Sequence, residues 1–485
     1  MFSRPSAPLF LTLLASVCAI SACTVGPDYA GAPQVAPDAA RAANFVRAPS
    51  VGVVSTRAPS QWWLALNDPQ LNTLIDAALV HNPDIHAAQA RLRESRAQLQ
   101  NQKANGMPKG SVDAAALRLR QPNLSALSSS QGSSSSSGGG PLQLYTAGFD
   151  ATWEIDLFGG TRRAVEAATA EADAVDADLA DTQVSLAAEV AQAYVDLRDE
   201  QQRLTLAQRS AEIEQRMLTL TQQRRAHGTA ADVDVERLST QVENTRATLT
   251  PLDEQVEASL DQLAVLTGQA PGALDQELSA LRPMPALPAS VPVGDPASML
   301  QQRPDIRAAE RRLASSNAQI GEHKADFFPK VTLFGDIGYT AADPGHLLRK
   351  SNFSWIGAPY LQWNVLDFGR TLSSVHSAEA SRDEADAKYA HTVLAALQDA
   401  NTSLSRYGHQ REHLATLQQV QASADRSATL MRQRYTAGAS SLIDLLDTQR
   451  TQFSAQQNVV AGQAELLKDF VSLQKSLGLG WRVQG

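Results

Sequence analysis

Residues 161–227 read TRRAVEAATAEADAVDADLADTQVSLAAEVAQAYVDLRDEQQRLTLAQRSAEIEQRMLTLTQQRRAH, with no proline and no glycine. Gly159-Gly160 stands before the run and Gly228 after it. Proline and glycine most disfavour helix interiors, so 67 positions free of both predict one continuous helix. Val190, Leu197, Leu204, Ala211 and Leu218 recur every seven residues, the spacing of a buried seam. At ~1.5 Å per residue the rod would be roughly 100 Å long, more than a compact globular domain holds.

The stretch recurs. WEIDLFGG from Trp153 and WNVLDFGR from Trp363 lie 210 residues apart, as do Gly228 and Gly438, and Gly268 and Gly478. The second rod, residues 370–437, is interrupted only by Gly408. Upstream, NPDIHAAQARLRESRAQL from Asn82 matches RPDIRAAERRLASSNAQI from Arg303 at an offset of 221. The first copy is therefore 11 residues longer somewhere between Pro83 and Trp153. A tandem duplication of about 200 residues is the reading that accounts for these matches.

The chain has 485 residues, 43% hydrophobic content and a formal charge of −9, ample for a large folded protein. The acidic balance, with no basic stripe against it, argues against a nucleic-acid partner. Arg4 followed by LFLTLLASVCAIS (residues 9–21) has the form of a signal peptide. Its apolar core is too short to span a bilayer, and no later stretch offers ~18 consecutive apolar residues. Ile20-Ser21-Ala22-Cys23 resembles a bacterial lipobox, which would leave Cys23 as a lipid-bearing N-terminus; an ordinary small-residue cleavage site is the alternative. Thr24 after it favours outer-membrane sorting, by resemblance to such lipoproteins. Cys18 would leave with the signal, so the mature chain would keep one cysteine and no disulfide.

Taken in order, residues 24 to about 60 are Pro- and Ala-rich and read as extended. Asp68-Pro69 opens a helix, with the acid as N-cap and proline at the first helical position. A second helix is expected from Asp84 to about Ala104. The period then changes. Tyr145, Ala147, Phe149, Ala151, Trp153, Ile155 and Leu157 alternate with Thr146, Gly148, Asp150, Thr152, Glu154 and Asp156, which is a strand with one apolar and one polar face. A weaker partner strand runs from Ser111 to Arg120, and Ser128 to Gly140 forms a Ser/Gly-rich loop between them. In the second copy Val331, Leu333, Ile337 and Tyr339 alternate with Thr332, Phe334, Asp336 and Thr340; Phe353, Trp355, Leu361, Trp363 and Val365 alternate likewise. After each rod a glycine turn leads to a shorter helix, Thr229 to Thr267 and Ala439 to Leu477, and Pro251 is expected to kink the first. Pro283, Pro285, Pro288, Pro292 and Pro296 mark an extended connector.

Four strands cannot close a barrel, and open edges are not tolerated in lipid. Two chains would supply eight strands and three would supply twelve. Eight leave an interior filled by side chains, whereas a polar inner face wants water, so three chains are preferred. A soluble β-hairpin packed on a helix is the competing reading; it would hide the apolar face within one domain.

Several motifs now combine. CTVGPDY at Cys23, DPQLNTLI at Asp68, RPDIRAAERRL at Arg303, FFPKVTL at Phe327, the paired FG turns, RYTAGASSLIDLLDTQRTQ at Arg434 and SLGLGW at Ser476 resemble the TolC-like outer membrane factor family, in its lipoprotein branch serving RND efflux systems. The resemblance implies a mainly helical fold: a homotrimer with a 12-stranded transmembrane β-barrel, four strands per chain, continued by a long α-helical barrel into the periplasm. It implies an outer-membrane exit duct that is not an enzyme, has no cofactor beyond the lipid on Cys23, and works with a periplasmic adaptor and an inner-membrane RND transporter. A type I protein-secretion channel, or a non-pore periplasmic coiled-coil lipoprotein, are the alternatives. The organisation expected is a signal peptide (1–22), a lipidated extended segment (23–59), a first repeat (60–275, strands about 110–158), a Pro-rich connector (276–296), a second repeat (297–478, strands about 329–368) and a short tail (479–485).

Few residues invite chemistry. His409-Gln-Arg-Glu412-His413 fits a zinc-peptidase pattern, yet it lies inside a rod with no third ligand, and the matching segment of the first copy, Asp199 to Arg203, has no histidine. Asp444 and Asp447 lie three apart beyond the Gly438 turn. The resemblance makes this turn the periplasmic tip and matches both positions to pore-lining aspartates, six in a trimer. Like charges so close would raise some pKa values or recruit cations. Ser441-x-x-Asp444 is equally a capping box, and the two roles are compatible. Asp234 stands at the equivalent of Asp444, Arg237 at that of Asp447. Tyr435 matches a gate tyrosine of the family, or is an aromatic packing residue. Ser440 stands where the family's best-known member has an arginine lock, so the latch is expected to differ. The tips Gly228-Thr229 and Gly438-Ala439-Ser440 are small and uncharged, which suits end-on contact with an adaptor.

Overall fold

The computed structural model describes residues 24–49, 51–119 and 142–481. Cys23, with the whole lipobox, and the Ser128–Gly140 loop lie outside them. The principal helices are α1 (Pro69–His81), α2 (Pro83–Asn105), α3 (Gly160–Ala226), α4 (Asp232–Ala247), α5 (Leu249–Leu266), α6 (Pro296–Gln302), α7 (Pro304–Ala325), α8 (Arg370–Thr436) and α9 (Leu442–Ser476). Four long strands complete the frame: β1 (Lys109–Leu119), β2 (Leu142–Ile155), β3 (Lys330–Ala341) and β4 (Phe353–Gln362). The two rods α3 and α8 are each 67 residues long.

Helix starts follow local chemistry. The Asp68 carboxylate accepts from the N–H groups of Gln70 (2.9 Å) and Leu71 (3.1 Å), satisfying two of the four donors that a helix start leaves open. Asn82 does the same for α2, accepting from Asp84 N–H at 2.7 Å. Two details differ from the sequence expectation. The helix after α3 breaks at Thr248, three residues before Pro251, because a proline ring disturbs the turn preceding it. In the second copy Ala461 stands there, and α9 runs unbroken for 35 residues. The last strand ends at Gln362 rather than near Val365 or Phe368, because its partner β3 begins at Lys330, which lies opposite Gln362; the next residue, Trp363, donates its indole N–H to the Phe327 carbonyl (3.0 Å).

The chain forms two compact units. One comprises residues up to 32, 93–173 and 311–387; the other comprises 33–92, 174–310 and 388 onward. In the first, the strands form one antiparallel sheet in the order β1-β2-β3-β4. The N-terminal segment docks beside it. Val25 N–H donates to the Phe158 carbonyl at 3.1 Å, and the buried Arg163 guanidinium donates to Val25 O (3.2 Å) and to the Asp28 carboxylate (2.6 Å).

In the second unit the core is helical. Tyr194 of α3 is fully buried and donates to Asp68 at 2.8 Å, while Gln192 bonds Ser472 of α9 at 3.2 Å. Trp62 meets Phe470 edge to face at 5.8 Å between ring centroids, with both side chains buried. Each such aromatic contributes about 1.5–3 kcal/mol by leaving water. The segment expected to be merely extended has a partner: Val53–Val54 pairs in parallel with Val291–Pro292 of the connector.

Candidate functional site: hairpin tips and strand sheet

Both rods end the same way. Thr229 N–H bonds the Arg224 carbonyl and Gly228 N–H the Arg225 carbonyl, each at 2.8 Å. Ala439 and Gly438 repeat this with Arg434 (2.8 Å) and Tyr435 (3.0 Å). This double closure needs a left-handed residue, and Gly228 and Gly438 have φ of +72° and +73°. A Cβ on either glycine would meet nothing within 4 Å, so the tips are open.

Beyond the second tip, Asp444 and Asp447 lie exposed on one face of α9. Ser441 Oγ donates to Asp444 Oδ2 at 2.7 Å, Ser441 N–H donates to the same oxygen at 3.2 Å, and Asp444 N–H donates back to Ser441 Oγ at 3.2 Å. The Ser441 hydroxyl, then its backbone N–H, hold the Asp444 carboxyl below the usual carboxylate range. The capping box is therefore formed, and it leaves the carboxylate ionised. Asp447 pairs with Arg450 at 2.9 Å. Arg450 was missed in the sequence, although its i,i+3 spacing from Asp447 was there to be read.

Tyr435 is half-buried against Leu218, Leu238, Val242 and Leu442. Its hydroxyl accepts from Arg224 Nη1 at 3.1 Å, with the guanidinium carbon 5.9 Å from the ring centroid. Arg224 and Tyr435 also line a groove of about 390 Å³ with Met217, Leu220, Gln223 and His227. Tyr435 is thus tied to α3, while the two aspartates are tied to Ser441 and Arg450. Arg224 carried no signal in the sequence, because only tertiary packing brings it to Tyr435. The first tip is closed by an ion pair between Arg225 and Asp232. The backbone carbonyl of Ala439 accepts from Arg434 Nη2 at 3.3 Å.

The sheet's faces are set by its register. Val112, Phe149, Ile337 and Trp355 lie in one row across the four strands, with Ser111, Asp150, Asp336 and Ile356 in the next. The apolar row is open: Phe149 is 44% exposed, Ile337 50%, Trp355 73% and Val112 81%. The competing expectation of a hairpin that hides its apolar face is thereby overturned. On the other face Ser111 Oγ donates to the Asp150 carboxylate at 2.7 Å. Among the described residues no helix is long and apolar enough to cross a membrane, and no group of three or more His, Cys, Asp or Glu is placed to hold a metal. His409, Glu412 and His413 lie exposed along α8.

Comparison with known proteins agrees with this geometry. The family described as "Outer membrane efflux protein" matches residues 74–269 and 296–479. The antibiotic efflux pump outer membrane protein ArpC of Pseudomonas putida is 31% identical over 482 residues, covering 98% of this chain and 96% of the relative. Nodulation protein T of Rhizobium leguminosarum bv. trifolii is 30% identical, covering 99% and 98%. Among solved structures, the outer-membrane channel OprN superimposes with a TM-score of 0.85 at 34% identity, covering 95% of this chain and all of that one. The open-state MtrE outer membrane channel of Neisseria gonorrhoeae gives 0.78 at 27% identity, covering 94% and 98%. The chain belongs to the outer membrane efflux protein family, whose members are transport ducts of the outer membrane rather than enzymes.

Proposed function

We propose that this chain is the outer-membrane exit duct of a tripartite RND efflux pump, conducting small molecules passively from periplasm to exterior. Three copies pool twelve strands into a β-barrel, and their helices continue the conduit into the periplasm. A periplasmic adaptor contacts the tips at Gly228, Thr229, Gly438, Ala439 and Ser440, and an inner-membrane transporter supplies the energy. Asp444 and Asp447 ring the entrance, with Tyr435 holding the neighbouring rod end. Cys23 carries the anchoring lipid.

One observation carries this reading: a four-stranded sheet whose apolar row Val112, Phe149, Ile337 and Trp355 is exposed, while its opposite face carries Ser111, Asp150, Thr152, Thr332 and Asp336 among fewer apolar side chains such as Phe334 and Ile356, with β1 and β4 at its edges. Alternating apolar-out and polar-in strands are the pattern of a membrane barrel around water. Four strands cannot enclose water, whereas twelve can. Relatives bear names for antibiotic, toluene and pyoverdine export, so family membership alone does not select a cargo.

The test uses spin labels in reconstituted bilayers. Labels at Ala151 and Leu361 should respond to lipid-phase quenchers, and labels at Thr152 and Gln362 to aqueous ones. A uniform aqueous response would remove the transmembrane assignment.

A further inference from the structure

A cleft of about 550 Å³ opens where the N-terminal segment crosses the middle of α8. Arg47 and Val51 of the segment line it, with Gly408, His409, Arg411 and Glu412 of the rod. Two glycines make the crossing possible. Gly408 leaves room for the Pro49 ring, to which an added Cβ would come within 2.9 Å. Gly52, at a φ of +91°, lets the Arg411 guanidinium pass; a Cβ there would overlap it. Two bonds then fix the walls: Arg47 N–H donates to Asn401 Oδ1 at 3.1 Å, and Arg411 Nη1 donates to the Val51 carbonyl at 2.9 Å.

The first copy treats the same place differently. A segment crosses α3 there too, since Gln201, the equivalent of Arg411, donates to the Leu278 carbonyl at 2.8 Å. Arg198, the equivalent of Gly408, is fully buried against that segment and donates to the carbonyls of Leu278 and Ala280. Its charge is thus held inside the fold. In the second copy the charges face the cleft instead. Among the described residues no hydrogen bond or ion pair engages the Arg47 guanidinium, the His409 imidazole or the Glu412 carboxylate, and all three residues are exposed. Two guanidiniums and one carboxylate on one cleft suit a zwitterion. A guanidinium fork matches a carboxylate, and the Glu412 carboxylate can accept from an ammonium.

We infer that this cleft binds the peptide stems of murein, the cell-wall polymer, with Arg47 and Arg411 on a free carboxylate of the stem and Glu412 on its free amine. The placement rests on the duct reading, which puts the middle of the rods in the periplasm, where that polymer lies. Stem peptides carry both groups close together, whereas the sugar strands of the polymer and lipid phosphates do not. Each cleft is open to solvent, so a single site is weak and sensitive to salt. Three copies set three such clefts at one level, and a polymer that repeats the same stem engages them together. Linked weak sites then act at high effective concentration.

The experiment uses the full-length oligomer, purified in detergent. Isolated murein sacculi should carry it into the pellet at low salt and release it at about 0.5 M salt, where exposed charges are screened. Arg47→Gln with Glu412→Gln should lower the bound fraction at least about fivefold with the oligomer intact, since neither side chain has a partner among the described residues. This double variant keeps the net charge, so a non-specific electrostatic attraction would not respond to it. A second measurement is calorimetry with the free stem peptide. The peptide should bind about tenfold more tightly than the same peptide with its carboxylates amidated, the loss of one charged hydrogen bond. Equal sedimentation of the unaltered and double-variant oligomers would overturn the site and leave the duct reading standing. Binding of the free peptide without retention on sacculi would overturn the cell-wall assignment. Failure of the unaltered chain to enter the outer membrane would overturn the duct reading, and the placement with it.

Discussion

At Asp444 one serine does two things. Ser441 completes the helix cap and, by donating twice to the carboxylate, keeps it ionised. A carboxyl whose folded pKa is lowered adds stability above its unfolded pKa and loses it as pH falls through the folded value. The charge proposed at the entrance therefore persists well below neutral pH. Asp447 is different, because Arg450 at 2.9 Å offsets part of its field. If the pair rings the entrance, its negative potential favours cations, and a narrow ring is screened by salt less than an open surface is. Asp444→Asn with Asp447→Asn should lower cation preference in bilayer conductance recordings and weaken block by multivalent cations. The unaltered channel should keep its preference when acidified from pH 7 to pH 5. If these carboxylates only cap a helix, the double variant would lose a little thermal stability and keep its selectivity. Neither the Arg450 pairing nor the Arg224 contact to Tyr435 changes the sequence pattern that singled out these sites. The first is visible only as spacing, and the second arises where two residues 211 positions apart, one on each rod, come together.

Among the elements, the rods were legible because a helix declares itself by what it lacks, and 67 residues without proline or glycine leave little alternative. The break at Thr248 was placed less well, since proline acts on the turn before it. Gly408 shows the limit in the other direction: α8 passes through it unbroken, and its missing Cβ admits the Pro49 ring, to which an added Cβ would come within 2.9 Å. Its equivalent in the first copy is Arg198, fully buried and donating to the carbonyls of Leu278 (3.4 Å) and Ala280 (3.0 Å). One repeat thus receives the N-terminal strap through a glycine, and the other holds the connector through an arginine. Two further glycines separate conformation from packing. Gly438 and Gly478 have φ of +73° and +74°, but an added Cβ at Gly438 meets nothing, whereas at Gly478 it would come within 2.8 Å of Arg303 Cα. Gly438→Ala should cost about 1 kcal/mol, the left-handed penalty alone. Gly478→Ala should cost at least about 2 kcal/mol, because backbone cannot rotate away. Chemical denaturation of the two variants checks the ranking, and equal losses would refute the packing argument.

For the whole molecule, the duplication and the strand alternation carried the fold class, since both are periodic. What periodicity cannot supply is the path of the irregular segments. The N-terminal stretch read simply as extended, yet Arg163 holds it at Val25 and Asp28, and Val53–Val54 pairs with the connector. Arginine in a helix start gives no hint that a distant backbone carbonyl will need it. The clamp bears on anchoring. Thr24 lies against Gly159, where a Cβ would sit 3.0 Å from its Cα, and Val25 N–H bonds Phe158, just past the end of β2. A lipid on the preceding residue would therefore start beside the foot of the sheet and not at the end of a free tether. Cys23→Ser should abolish lipid labelling and processing by the lipoprotein peptidase, while the strands still insert and the clamp at Arg163 still forms. Labelling that survives Cys23→Ser would show that the lipobox reading is wrong. Loss of insertion as well as labelling would show that the strands depend on the lipid for their first hold on the membrane.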